Sequence, residues 1–263
     1  MNNESFFLII LIILGAWAGW EKRLLSLSGA IAAIITGLTI SYSFGWEGLF
    51  ILIVFFVSSS GWSTFKKREK QSIEERLAKN SVRDWQQVLA NGGAGILFSF
   101  FYILTNDSVW FLAYGASVAA VNSDTWASEI GPLSRWMPIS MKTFRRVSRG
   151  TSGAISLLGT LAAIMGALFI SMFFLFVSGS VNPYLVLLIA LSGFLGNVVD
   201  TLIGAFFQLE YECKQCHLKT EAPKHCGIPA KKIKGYKIVN NEFVNFSASL
   251  FAGFFLWGIY TVL

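Results

Sequence analysis

The stretch WFLAYGASVAAVNSDTWASEIG, Trp110 to Gly131, decides how this chain is to be read. Its first half is apolar enough to sit inside a bilayer. Its second half carries Asn122, Asp124, Thr125, Ser128 and Glu129, and Gly131-Pro132 closes it. Charge inside hydrocarbon is costly, so a segment built this way belongs where a membrane helix meets water.

The rest of the chain fits that reading. Of 263 residues, 54% are hydrophobic and only 14% are charged, whereas a soluble domain carries roughly a quarter charged residues. Mean hydropathy is +0.58. The expected fold is an all-α polytopic transmembrane bundle, a single integral membrane domain over 1–263. About eight spans are expected, near 5–20, 25–42, 46–62, 86–104, 108–123, 153–178, 184–208 and 243–263, each close to the length that crosses a bilayer. Met1–Trp20 has no basic leader and no small-residue cleavage site, so it reads as the first span and not as a signal peptide.

The 21 Lys and Arg sort into alternate connections: two at 22–23, seven between 66 and 83, five between 135 and 149, and seven between 214 and 237. The connections near 43–45, 105–107 and 179–183 have none. The positive-inside rule then places loops 63–85, 124–152 and 209–241 in the cytosol and both termini outside. A prokaryotic plasma membrane is the expected compartment. The net charge of +6 is one-sided. It serves topology, or it serves a surface that holds anionic headgroups or nucleotide phosphates. Nothing points to nucleic acid, and oligomeric state is not readable.

Polar residues inside spans gather at one depth. Asp124 and Glu129 end span five. Asn197 and Asp200 lie in the last third of span seven, Asn241, Glu242 and Asn245 open span eight, and Asn91 lies early in span four. Arg83, Gln87 and Asn91 form one helical stripe. Glu129 is about 140° around an ideal helix from Asp124, so the two share one metal only if the helix unwinds, and otherwise reach different partners. After them, Lys142 and Arg149 lead into Gly150-Thr151-Ser152-Gly153 and a new span. Such a turn exposes backbone N–H groups at a helix start, which suits phosphate or serves as an ordinary cap. Carboxylates for Mg²⁺ with cations for phosphate are the parts of phosphoryl transfer.

The three cysteines and both histidines fall together in ECKQCHLKTEAPKHCG. Cys213, Cys216, His225 and Cys226 have the spacing of a candidate structural Zn²⁺ site, against a loop with free thiols.

NSDTWASEIG, RGTSGAISLLGT, GNVVDTLIGA, the C-x-x-C…HCG loop and NNEFVN resemble segments of an integral membrane isoprenyl-phosphate kinase family, that of plant chloroplast phytyl-phosphate kinase. The resemblance implies phosphoryl transfer from a nucleoside triphosphate, CTP or another, to an isoprenyl monophosphate. It matches Asp124, Thr125, Ser128 and Glu129 to the central motif, Gly150, Thr151 and Gly153 to the glycine turn, Asp200 to the acid of span seven, and Asn241, Glu242 and Asn245 to a motif that elsewhere has Asp where Glu242 stands. The expected roles are Asp124, Glu129 and Asp200 as catalytic acids and Asp124, Asp200 and Glu242 on Mg²⁺. Arg83, Asn91, Lys142, Arg149, Gly150, Thr151, Ser152, Gly153, Asn197, Asn241 and Asn245 are expected to hold nucleotide or phosphate. A prenol kinase or a lipid-phosphate cytidylyltransferase would use the same parts. A transporter or lipid flippase would instead place its polar groups near the midplane, with repeats in the two halves, and no repeat is evident.

Overall fold

A computed structural model describes residues 3–66, 78, 82–179 and 182–262. Most of the loop expected at 63–85 therefore lies outside the described residues. Among the described residues are seven helices: α1 (Asn3–Glu21), α2 (Leu27–Thr64), α3 (Trp85–Thr105), α4 (Val109–Ile130), α5 (Leu157–Ser178), α6 (Pro183–Phe206) and α7 (Asn241–Tyr260). All except α4 are long and apolar enough to cross a membrane. Each of the eight expected spans corresponds to helix, with two of them joined in α2.

α2 has 38 residues, which would run for about 57 Å if straight. Gly45 breaks it, with φ 63° and ψ −152°, a conformation open only to glycine. The two limbs fold back on each other: Phe56 packs in the cluster of Leu25 and Ala30, and Ile34 packs with Leu49. Arg83 holds the open end of this hairpin. Its carbonyl accepts from Ser26 N at 3.0 Å and its guanidinium donates to Ser60 Oγ at 3.1 Å.

α4 is the axis of the bundle and packs against α2, α3, α5, α6 and α7. Enclosed by them, it needs no lipid-facing apolar stripe, which explains its modest hydrophobicity. Asn122 is fully buried; its amide donates to Gly166 O at 2.8 Å and accepts from Ser58 Oγ at 2.9 Å. Ser123 Oγ donates to Ala163 O at 2.8 Å. Small residues let α6 approach closely: a Cβ on Gly193 would come within 2.6 Å of Ala119 Cβ, and one on Gly196 within 2.6 Å of Ala120 Cβ. Further along, Tyr114 is buried among Phe44, Phe111 and the α2 backbone and donates to Gly48 O at 2.7 Å.

The outer surface is apolar, with Phe7, Leu14, Leu157, Phe176 and Leu187 all exposed. The chain is not helical throughout. β1 (Ile139–Ser140) pairs with β2 (Ala154–Ile155) in the loop before α5. Between α6 and α7, β3 (Glu210–Glu212) lies between β4 (Lys219–Thr220) and β7 (Lys231–Lys234), while β5 (Lys224–His225) pairs with β6 (Ile228–Pro229). The end of α2, the start of α3, the end of α4, the start of α5, the end of α6 and the start of α7 all meet at one end of the bundle. The beginning of α1 and the end of α7 lie at the other.

Candidate active site

At that shared end the helices surround a cavity of about 470 Å³. Its floor is built by the close pairing of α4 and α6. On α6, Gly193, Gly196, Asn197 and Asp200 follow one another at helical spacing. The glycines set the backbone against Ala119 and Ala120, and the next turn then delivers Asn197 to Asp124, four residues past Ala120. The Asn197 amide donates to Asp124 Oδ1 at 3.2 Å. Asp124 and Asp200 both line the cavity and act on each other electrostatically.

α7 adds the opposite wall. Asn240 caps it, accepting from Phe243 N at 2.9 Å. With its amide nitrogen turned toward Asp200, Asn245 donates to Asp200 Oδ2 at 3.1 Å and to Asn241 O at 3.3 Å. That orientation satisfies both amide atoms; in the opposite one the nitrogen faces Asn91 Oδ1 at 3.3 Å. Each of the two floor carboxylates thus receives an amide donor from a neighbouring helix.

Helix α4 remains helical to Ile130 and continues into a 3₁₀ turn at Gly131–Leu133. Loop 124–152 therefore begins later than expected, and the helix does not unwind between Asp124 and Glu129. The two acids turn to different partners. Ser63 Oγ donates to Glu129 Oε1 at 2.6 Å, on the α2 side, where Arg83 also lies. Burial pulls the Arg83 pKa below its usual value and the Glu129 charge opposes that pull; a guanidinium stays charged regardless.

The glycine turn closes the cavity from the side. Gly150 and Gly153 have φ of 78° and 71°. Gly153 sits against the Ala205 backbone at the end of α6, where a Cβ would collide. Ser148 O accepts from Thr151 Oγ1 at 2.8 Å, and Arg149 donates to Ser134 O at 2.7 Å. The start of α5 is capped by Ser156, which accepts from Gly159 N at 3.1 Å.

Of the residues expected from the sequence, Arg83, Asn91, Asp124, Glu129, Arg149, Gly150, Thr151, Ser152, Gly153, Asn197, Asp200, Asn241 and Glu242 line this one cavity, with Asn245 directly behind Asp200. Lys142 does not. It is exposed on the loop outside, close enough for its charge to act on Lys234. Gln87 lines the cavity but also serves as a cap: Asp84 accepts from Gln87 N at 3.0 Å, and Gln87 Oε1 accepts from Asp84 N at 3.1 Å. Cys213, Cys216, His225 and Cys226 form a separate cluster in the loop between α6 and α7.

Sequence reading missed Glu221, Gln208 and Ser63. Glu221 Oε1 accepts from Ser152 Oγ and from Gln208 Nε2, each at 2.8 Å. Burial raises its carboxyl pKa, and the Ser152 and Gln208 hydrogen bonds counter that rise. Its only sequence signal was its place in the cysteine loop. With Glu221 counted, five carboxylates among the described residues line the cavity (Asp124, Glu129, Asp200, Glu221 and Glu242) against two guanidiniums, Arg83 and Arg149. Such an acid excess attracts cations and repels a bare anion.

The chain is similar to a wider set of proteins. The model of the integral membrane protein family DUF92 matches residues 9–253. The chain is 30% identical to protein PGR of Arabidopsis thaliana, over 94% of this chain and 93% of that one. It is 34% identical to the uncharacterized membrane protein MJ0933 of Methanocaldococcus jannaschii, over 77% of this chain and 83% of that one. It is 29% identical to protein VTE6, chloroplastic, of Arabidopsis thaliana, over 70% of this chain and 56% of that one. No solved structure matches the chain significantly.

Proposed function

This chain belongs to the DUF92 family of integral membrane proteins, and we propose that it is a kinase that phosphorylates an isoprenyl monophosphate at the membrane surface. The observation that carries the reading is that, among the described residues, carboxylates outnumber cations around a cavity that also has a glycine turn and two arginines in its lining. A phosphate-binding site with more carboxylates than cations needs a metal to bring in its anionic ligand. Oxygen donors on several helices suit Mg²⁺, which prefers carboxylates and phosphate oxygens. The resemblance read in the sequence implies the same chemistry.

In this reading Asp124 and Asp200 hold the metal, with Glu242 or Glu221 beside them, and the metal when bound neutralises charge on the triphosphate. Asn197 and Asn245 keep the two aspartates oriented. Arg83 and Arg149, with the N–H groups of Gly150–Gly153, hold phosphate oxygens. An oxygen of the prenyl monophosphate attacks the γ-phosphorus of the donor. The bond from that phosphorus to the β–γ bridging oxygen breaks, leaving a nucleoside diphosphate and a prenyl diphosphate. The attacking oxygen is already anionic at neutral pH, so the residues position and neutralise and no strong base is required. The prenyl tail stays in the bilayer beside the apolar helix faces, and the charge of the basic loops supports a cytosolic position for the cavity, where nucleotide is available.

The test is a transfer assay on purified protein in detergent, with farnesyl, geranylgeranyl and phytyl monophosphates, Mg²⁺ and each nucleoside triphosphate. Products are read by mass. One added phosphate on a monophosphate is expected. A phosphorylated alcohol or a CMP adduct would make the protein a prenol kinase or a cytidylyltransferase instead, and absence of nucleotide binding would favour a transporter.

A further inference from the structure

We infer that Cys213, Cys216, His225 and Cys226 bind one zinc ion in a closed four-ligand site, and that this ion pins the β-rich loop, with Glu221, against the cavity. The inference stands on the loop's own geometry and does not depend on which reaction the cavity performs.

The four ligand atoms all lie within 4.8 Å of one another. Cys216 Sγ is 3.4 Å and Cys226 Sγ 3.2 Å from His225 Nδ1, and the two sulfurs are 3.8 Å apart. Tetrahedral zinc, with Zn–S near 2.3 Å and Zn–N near 2.0–2.1 Å, places its sulfurs about 3.8 Å apart and sulfur and nitrogen about 3.5 Å apart. A disulfide would need sulfurs at about 2.05 Å, and all three cysteines are free. The Gln215 N–H donates to Cys213 Sγ at 3.4 Å, a contact that steadies a thiolate. Three thiolates and an imidazole suit zinc and leave no open position, which makes the site structural.

The connection to the cavity is short. Cys213 directly follows β3. Cys216 precedes β4, whose Thr220 pairs with Tyr211 of β3, and Glu221 is the next residue. From there Glu221 accepts from Ser152 in the glycine turn and from Gln208 after α6. The far side of the sheet is anchored by Lys234, which donates to Gly204 O at 3.0 Å and Ala205 O at 3.2 Å at the end of α6. These few short strands bury little apolar surface, so the sheet has scant stability of its own, and a metal supplies what a small core lacks.

Metal content of the full-length protein, purified in detergent under reducing conditions, is the first measurement. About one zinc per chain is expected, lost in Cys216→Ser and in Cys226→Ser. Cys216 and Cys226 are exposed, so free thiols would react quickly with a maleimide. The expected result is slow labelling that a strong chelator accelerates. Protein without zinc whose exposed thiols label at once, protein carrying a disulfide, or stoichiometric iron would each overturn the site. The pinning is read by trypsin: chelation should speed cleavage at Lys219, Lys224 and Lys231. Unchanged cleavage after zinc removal would overturn the pinning while leaving the ion in place.

Discussion

Asn197 of α6 donates its amide to Asp124 of α4 at 3.2 Å, and this bond lies one helical turn from the closest packing of the two helices. An aspartate held by an amide from a neighbouring helix is oriented without being neutralised. The carboxylate therefore remains available to a cation.

Asp124→Asn keeps an oxygen that accepts from Asn197, so the bundle should insert and fold normally. Turnover should fall by roughly 10²-fold or more, the scale for losing a preorganised charge at a reacting centre. Asn197→Ala should act differently, raising the Mg²⁺ concentration needed by about 10- to 100-fold, as loss of a ligand-orienting group does, while excess Mg²⁺ restores part of the rate. Kinetics against Mg²⁺ concentration separate the two. Full activity in Asp124→Asn would remove that residue from the mechanism.

Gly153→Ala should damage the site through the backbone. Gly153 has φ 71° and its Cα faces the Ala205 backbone. The left-handed conformation alone costs alanine about 1–2 kcal/mol, and the collision adds to that. Lower thermal stability and loss of nucleotide binding are expected. Gly15→Ala, where nothing lies within 4 Å of the new methyl, is the control and should leave both unchanged.

Glu221 gives the protein a pH dependence of stability. Burial holds its folded-state pKa above the unfolded value, so its contribution is fully present below the unfolded pKa and is lost as pH rises through the folded pKa. In Mg²⁺-free buffer, Glu221→Gln should melt above wild type at neutral and alkaline pH, with the gap narrowing on acidification. Melting curves from pH 4.5 to 8.5 measure this, and a gap that widens toward acid would show the wrong sign.

Asn122→Val isolates packing from chemistry. Asn122 is fully buried and joins α4 to α2 and α5. Its replacement leaves the Gly166 carbonyl without this amide donor and should cost about 1–3 kcal/mol of stability. Turnover per folded molecule should be unaffected at low temperature. A selective loss of turnover would bring Asn122 into the site.

Much of this was legible in the chain itself. Alternation of basic and uncharged connections, read with apolar segment length, determined the helical segments and brought their polar ends to one side, because bilayer thickness and loop charge act on local sequence. The motif residues around Asp124, Gly150, Asp200 and Asn241 stood out because polar groups beside apolar runs are conspicuous. What only the tertiary structure decided was which partners they meet. Continuation of α4 to Ile130 sends Asp124 to α6 and Glu129 to α2. The contact of Gly193 and Gly196 with Ala119 and Ala120 fixes the depth of α6 against α4. Lys142 falls outside the cavity, and Glu221 enters it from a loop whose sequence drew notice for its cysteines and basic residues. These outcomes depend on helix rotation and on close approach between residues far apart in the chain. Local periodicity carries no record of either.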